Sequence, residues 1–392
     1  MPKKLSKEFF QALGCFDYNA ANKLSTKISK LNVILGNLFT TLIKCEQSYT
    51  SLEYVKTKST KKEEVRYQAI PINFPNINPE SLVKEIEEVL TKINEIKLNE
   101  KLGPLGIGVE KEVFLLKHLF LARKAIAYYN FKDSTINLFK AKINLTSWKD
   151  ICSQQIYSEK SSSKSEESTS SFFQSFFSSS SDKQTKNIKR GNDSPNHIKW
   201  LEKFLTSLTA KMTLYFMDIL LEREKSPTNI KSLWRRIDID YYGLIRNFQK
   251  KSGALSILLI YEVSDDIPFY PQGYVCGGLK YEKPIGLSSF PCIYSYPKET
   301  PSNHWANIIS IMHDKDPSKH TLFNHVNPIY FFDKKFGSSY YYIRIDEFVV
   351  LVIIFLEKNS TRDNNTIDFI TSLAKKLSDL EILTSLVNGQ IN

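Results

Sequence analysis

The sequence has few cysteines, and they lack the spacings that bind metals or close disulfide frameworks. The five cysteines, an odd number, lie far apart and form no CxxC pair: Cys15, Cys45, Cys152, Cys276 and Cys292. Small disulfide-rich folds and zinc fingers are therefore not expected. The pattern favours a protein that works in a reducing compartment.

Long apolar runs are also missing. The longest clearly apolar stretches, such as Val349–Leu356, are far shorter than the roughly 20 residues that cross a bilayer as a helix. The opening residues, MPKKLSKEFFQALGCF, lack the apolar core of a signal peptide. We therefore expect a cytoplasmic protein whose association with any membrane is indirect, through partners or surface charge.

The net positive charge is concentrated in the first half of the chain. Residues 1–157 contain 24 Lys or Arg against 16 Asp or Glu, whereas residues 226–392 contain 18 against 17. A basic half can face nucleic acid, an acidic partner or an anionic membrane. Because no RNP, zinc-finger or basic-zipper signature accompanies the charge, we expect a lysine-rich solvated surface and no nucleic-acid partner.

The first half has the apolar spacing of α-helices. Residues spaced by three and four form one helical stripe: Leu24, Ile28, Leu31, Leu35, Leu38 and Leu42. Further helices are predicted over 5–13, 79–93, 110–129, 134–157 and 198–219. Together they predict an antiparallel helical bundle over residues 1–225.

A low-complexity segment interrupts this bundle. Of the 24 residues from 158 to 181, 13 are Ser. Such a composition cannot bury enough apolar surface to offset the entropy of ordering the segment. We predict a disordered insertion over 158–195, and a second domain over 226–392, where the pattern changes.

Residues 226–392 combine strands with helices. After a helix over 240–251 come a strand in ALSILLIYEV, an irregular stretch over 265–301, a helix in ANIISIMHD, the strands IYFFD, SSYYYIRI and VVLVIIFL, and the helix TIDFITSLAKKL. The last strand is apolar without alternation, as expected of a central strand covered on both faces. This order resembles the α/β module of roadblock and longin proteins. The predicted class is α+β, a helical bundle followed by a roadblock/longin-like domain.

The strand SSYYYIRI separates its side chains onto two faces. One face carries Tyr341, Ile343 and Ile345, and the other carries Tyr340, Tyr342 and Arg344. We expect the first set to be buried. Because Tyr and Arg are enriched at binding hot spots, the second set is our candidate partner surface. The alternative is that helices cover both faces and the second set is core.

The sequence shows no pattern typical of an enzyme. Four histidines fall within 22 residues, at His304, His313, His320 and His325, but their spacing fits neither HExxH nor a two-His, one-carboxylate site. His304 and Trp305 lack a GxSxG nucleophile nearby, so we expect Trp305 to pack in the core and His304 to form a hydrogen bond. The glycines of GPLGIGVEKE predict a helix–helix turn rather than a phosphate site. No catalytic residue, cofactor or metal is predicted.

Many local segments, in the same order, resemble the KICSTOR complex subunit family formerly known only as a domain of unknown function. They are FFQALGCFDY, CEQSYTSLEY, HLFLARKA, NLFKAKINLTSW, AKMTLYF, DYYGLIRNF, YPQGY, NHWANIISIM and LVIIFLEKNSTRD. The chain departs from the family mainly at 56–78 and in the Ser-rich insertion. No residue-level site is carried over from the family.

The resemblance implies a non-catalytic scaffold subunit. KICSTOR-like complexes recruit the GATOR GTPase-activating complex to the lysosomal membrane surface and restrain TOR complex signalling when amino acids or glucose run short. The implied partners are kaptin-like, FG-GAP-repeat-like and very large scaffold subunits, together with GATOR. Two alternatives remain: a GTPase-regulatory or vesicle-trafficking adaptor built on the roadblock-like module, and a hydrolase within residues 265–325.

Overall fold

The computed structural model describes residues 2–14, 17–50, 79–161, 196–223, 230–275, 281–312, 328–358 and 363–385. The predicted domain boundary, between residues 225 and 226, lies outside the described residues, as do His313, His320 and His325. Most of the predicted insertion over 158–195 also lies outside them. Its first residues, up to Ser161, are the end of a helix and not part of a disordered loop.

The described chain up to residue 252 is built almost entirely of helices. They are α1 (Pro2–Gly14), α2 (Tyr18–Leu31), α3 (Val33–Thr50), α4 (Pro79–Ile96), α5 (Leu98–Leu102), α6 (Pro104–Ala127), α7 (Phe131–Ser161), α8 (Asn196–Tyr215), α9 (Met217–Arg223), α10 (Ile230–Trp234) and α11 (Tyr241–Ser252). Helix α6 packs on α4, α7 and α8. Helices are present over the predicted ranges, but the one predicted over 198–219 is divided at Phe216 into α8 and α9.

The prediction of one continuous helix through Leu24 and Leu42 is wrong, because the chain breaks at Asn32. Asn32 has extended backbone angles, and its N–H donates to the carbonyl of Ile28 at 2.7 Å, which ends α2. Its side-chain oxygen then accepts from the N–H of Leu35 at 3.0 Å. Asn is a favoured helix N-cap for this reason, so Asn32 starts α3. The residues of the predicted stripe therefore belong to two helices that form a hairpin.

The second half contains a five-stranded antiparallel sheet with the order β2-β1-β5-β4-β3. Its strands are β1 (Ser256–Tyr261), β2 (Cys292–Tyr296), β3 (Ile329–Asp333), β4 (Ser338–Asp346) and β5 (Val349–Phe355). Every residue of β5 is buried, which confirms it as the central strand. The strand β2 was missed in the predicted irregular stretch. It is short, lies at a sheet edge and is flanked by Pro291 and Pro297, and Pro is tolerated only at such places.

Helices cover both faces of the sheet. They include α12 (Ser302–Met312), α13 (Asn364–Leu377) and α14 (Leu380–Ser385). The side chains of α13 join one face to a core that continues through α8 into the bundle. The side chains of α12 cover the opposite face as a separate, smaller cluster. The α+β class is confirmed, and α8 contacts elements of both halves.

The elements from α11 to α13 follow the order helix, two strands, helix, three strands, helix. This is the order on which the roadblock and longin resemblance rests, with β2 added to the predicted strands. Such a likeness describes the fold and leaves the function open. Among the described helices, none is both long and apolar enough to cross a membrane.

Candidate functional site

The residues predicted as a partner surface do not form one, because α12 covers that face of the sheet. Tyr340 and Tyr342 have no exposed area and pack with Ile308 of α12. Arg344 is only partly buried, but its guanidinium donates to the carboxylate of Glu262 at 2.9 Å. The structure thus matches the alternative for the two tyrosines, in which they belong to the core.

His304 is more deeply buried than Trp305, whereas the sequence suggested that Trp305 would be the core residue. His304 is buried, and its Nδ1 lies 2.7 Å from the hydroxyl of Tyr340. Trp305, the next residue, is only partly buried at the margin of the smaller cluster. The expected hydrogen bond of His304 is present, while the expected core position of Trp305 is wrong. Consecutive residues of a helix point about 100° apart, so His304 faces the sheet while Trp305 lies at the margin of the cluster.

We expect the free energy of unfolding to decrease as the pH falls below about 6.5, the ordinary pKa of histidine. Burial lowers the pKa of His304, and the carboxylate of Asp333 only partly offsets this. The unfolded chain therefore binds a proton that the folded chain does not, so stability is complete above that pH and is lost as the pH falls towards the lowered pKa.

Urea denaturation at about pH 7.5 and about pH 5.5 measures this effect. The variant His304→Asn should show a smaller difference in unfolding free energy between the two conditions. The matched control is Tyr340→Phe, which removes the hydrogen-bond partner and keeps the titrating ring, so its pH dependence should remain. A pH dependence unchanged in His304→Asn would show that other groups cause it.

A buried charge network joins α8 to the end of β4 and to the α13–α14 turn. Lys211 Nζ lies 2.9 Å from Asp346 Oδ1 and 3.4 Å from Asp379 Oδ2. The hydroxyl of Tyr215 donates to Asp346 Oδ2 at 2.6 Å. Arg123 of α6 pairs with Asp379 at 3.2 Å. The network therefore links the bundle to the sheet through two cations and two carboxylates.

In this network, the groups around Asp346 offset the cost of burying its charge. Burial alone would raise the pKa of Asp346, but the charge of Lys211, the hydrogen bond from Tyr215 and the charge of Arg123 together hold that pKa below its ordinary value. Burial, and then the charge of Asp346, raise the pKa of Tyr215 well above its usual value. The phenol therefore stays protonated and remains a donor. We interpret the network as structural, because its groups bind one another.

This network was not predicted from the sequence, although the sequence contains a signal for it. Lys211 lies within the apolar stripe of α8, between Leu208 and Tyr215, at positions three and four residues away. A lysine on a buried helical face requires a buried partner. The partners, Asp346 and Asp379, are more than a hundred residues away along the chain, so spacing alone could not identify them.

An apolar stripe on α7 is exposed to solvent. Ile136, Phe139 and Ile143 are between 41% and 63% exposed, and their spacing of three and four places them on one helical face. The opposite face of α7 is buried and includes Leu138 and Leu145. Helix α7 thus carries apolar side chains on two faces, of which only one contributes to the core.

Three lysines and one carboxylate, that of Asp133, lie beside the stripe on α7. Lys132, Lys140 and Lys142 are exposed on the same helix. Lys132 and Lys140 lie four residues before and after Ile136, so they are its neighbours on the helix surface. Within the described part of the chain, none of the three forms an ion pair. The stripe and its lysines match a partner surface that is apolar at its centre and acidic at its margin.

The regions considered for chemistry show no assembled catalytic site in the described residues. No group of three or more His, Cys, Asp or Glu could hold a metal ion there. Within the described part of 265–325, Asp265 pairs with Lys283 at the surface and His304 faces Tyr340. Burial raises the pKa of the Cys292 thiol to about 12, so Cys292 itself stays protonated near neutral pH and is a poor nucleophile. Of the glycines predicted to form a helix–helix turn, Gly103 lies between α5 and α6 with φ 59°, whereas Gly106 and Gly108 lie inside α6, so the prediction holds only for Gly103.

A family model described as KICSTOR complex C12orf66 like matches residues 66–390 of the chain. The chain belongs to this family. A KICSTOR subunit 2 of Xenopus laevis is 30% identical over 319 residues, which cover 80% of this chain and 65% of that protein. A KICSTOR subunit 2 of Danio rerio is 28% identical over 314 residues, covering 80% and 64%. The aligned part thus spans just under two thirds of these relatives.

The KICSTOR family match includes every described element from α4 to the last helix. It therefore covers the sheet, the buried charge network and the exposed stripe on α7. The helices α1, α2 and α3 end before residue 66 and lie outside the match. Helix α7 is therefore part of the region that the KICSTOR family shares, whereas the first three helices must be interpreted from their own residues.

Proposed function

We propose that this chain is a non-catalytic scaffold subunit of a KICSTOR-like complex. The family match over residues 66–390 is the observation that carries the proposal. In this role the chain is cytoplasmic, assembles with kaptin-like, FG-GAP-repeat-like and very large scaffold subunits, and recruits GATOR to the lysosomal surface. The assembly restrains TOR complex signalling when amino acids or glucose are scarce.

The exposed stripe on α7 supports this role because a scaffold subunit needs a surface for its partners. A stripe of Ile136, Phe139 and Ile143 fits the apolar face of a partner helix, as in helix-in-groove recognition. The flanking lysines favour acidic residues on that helix, since complementary charge at the rim selects the partner. We assign the stripe to a partner subunit that presents an acidic amphipathic helix.

The triple variant Ile136→Ser, Phe139→Ser, Ile143→Ser should stop the chain from co-purifying with KICSTOR-like subunits. Each side chain contributes about 1.5–3 kcal/mol when fully buried, so losing three should weaken binding by well over a factor of about 10. The fold should survive, because the side chains are exposed in the free chain. Affinity purification from starved and fed cells, with circular dichroism of the pure variant, measures both effects.

The double variant Ile285→Ser, Leu287→Ser is the matched control. These two residues are also exposed, but they lie near a short 3-10 turn at Gly286–Ser289, away from α7 in the chain. Normal co-purification of the triple variant would place the partner surface elsewhere. Loss of binding in the control as well would mean that removing exposed apolar side chains has a general effect.

A second candidate function, a GTPase-regulatory or vesicle-trafficking adaptor, rests only on the order of elements from α11 to α13, which is a likeness of fold. It predicts that the pure chain binds a small GTPase without any other subunit. Pull-down of purified small GTPases, Rag-type GTPases included, by the isolated chain distinguishes the two proposals. Binding that requires the other subunits favours the scaffold function.

A further inference from the structure

The turn between α2 and α3 exposes three aliphatic side chains that are almost consecutive in the sequence. Leu31, Val33 and Ile34 are between 54% and 65% exposed, separated only by Asn32. Single exposed apolar residues are common on protein surfaces, whereas a cluster of them indicates a contact. We call these three residues the hairpin tip.

The hairpin tip has a defined structure. Asn32 ends α2 and caps α3 through the two hydrogen bonds described above. The two helices cross closely at Gly36, where an added Cβ would lie 2.5 Å from the Cα of Ser29. Ile28 and Leu35 face the core, which leaves the residues of the tip pointing away from it. The tip is therefore presented by a tightly packed hairpin.

Positive charge surrounds the tip. Residues 18–45 contain four Lys and no Asp or Glu. Three of these, Lys23, Lys27 and Lys30, are exposed on one face of α2, and they form no ion pair with any described residue. At a rise of about 1.5 Å per residue, they lie within roughly 12 Å of Leu31 along the helix. A charged surface touching the tip would therefore attract Lys30 and Lys27, which lie within the Debye length of roughly 8 Å at physiological salt, and would attract Lys23 more weakly.

We propose that the hairpin tip inserts into an anionic phospholipid bilayer while the three lysines contact lipid phosphates. Aliphatic side chains beside three exposed lysines on one helical face are the combination that binds such an interface. A nucleic acid would attract the lysines, but its phosphates offer nothing to three aliphatic side chains. The inference goes beyond the proposed function, in which partners bring the chain to the membrane. It rests on α2 and α3, which lie outside the family match.

Co-sedimentation of the full chain with vesicles tests the inference. The chain should bind vesicles of phosphatidylcholine mixed with phosphatidylserine, should not bind phosphatidylcholine alone, and should bind less as salt is raised. The variant Leu31→Ser, Val33→Ser, Ile34→Ser should reduce binding by about tenfold or more. The variant Lys23→Gln, Lys27→Gln, Lys30→Gln should reduce it similarly. Circular dichroism checks that both variants fold.

The double variant Ile285→Ser, Leu287→Ser again serves as control and should bind vesicles normally. Failure of the wild-type chain to co-sediment with anionic vesicles would overturn the inference. So would a serine variant that folds and binds them as well as wild type, since the tip would then play no part. Duplex DNA bound more tightly than vesicles, and equally by wild type and the serine variant, would assign the basic surface to nucleic acid instead.

Discussion

Replacing Lys211 with methionine should lower the free energy of unfolding by about 3–5 kcal/mol, the cost of breaking a buried ion pair by removing one partner. Lys211 and Asp379 have no exposed area, and Asp346 has very little. Methionine has a similar length but no charge, so both carboxylates lose their shared cation in a site that water does not reach. A loss of this size is a large share of the total stability of a typical domain, so much of the protein should unfold at moderate urea.

The matched control is Lys203→Met on the same helix, where the side chain is exposed. Its stability should change by less than about 0.5 kcal/mol. The double variant Lys211→Met, Asp346→Asn removes the carboxylate that loses its ion-pair partner, while Asp379 keeps Arg123, and it should be more stable than Lys211→Met alone. Equal urea midpoints for Lys211→Met and Lys203→Met would show that the network contributes little to stability.

Replacing Trp200 with alanine should cost a similar amount, about 3–5 kcal/mol. Trp200 has no exposed area, and its ring packs beside Phe204 with centroids 5.5 Å apart. Its indole N–H also donates to the carbonyl of Ile382 at 2.9 Å. The substitution thus leaves a cavity between α8 and α14 and removes one hydrogen bond.

The variant Trp305→Ala provides the comparison at a second tryptophan. Trp305 is only partly buried, so its loss should cost clearly less than that of Trp200. A third variant, Trp200→Phe, keeps most of the ring and should fall between wild type and Trp200→Ala. Urea denaturation of all three variants gives the order of their stabilities, and a larger loss for Trp305→Ala than for Trp200→Ala would contradict the deeper burial of Trp200.

Local chemistry explains why some elements could be predicted from the sequence. The helix α11 ends at Gly253, which adopts φ 70° at its C-cap, a conformation that favours glycine. The strand β5 is uniformly apolar because sheet strands flank it and both of its faces are covered. In both cases the local residue types determine the structure, so the sequence pattern was sufficient to predict the element.

Other features depend on which elements pack together, and the sequence alone does not show that. Tyr340 and Tyr342 fit a binding surface as well as a core, and the position of α12 decides between them. The exposed Phe139 on α7 has the same apolar character as the buried Leu138 beside it. Lys211 could be recognised as unusual, but its partners come from β4 and from the α13–α14 turn. Contact sites thus require the tertiary structure.

The central position of β5 also affects how the chain is made. Ser256 of β1 pairs with Ile354 of β5, so about a hundred residues must be synthesised between these two partners. Domains form during synthesis from the N-terminus onward, and β1 and β2 leave the ribosome well before the strand that joins them to β4. Until then the apolar side chains of β1 lack their main partner. The ribosome-bound chain therefore completes its sheet only after β5 has been made, about a hundred residues after β1.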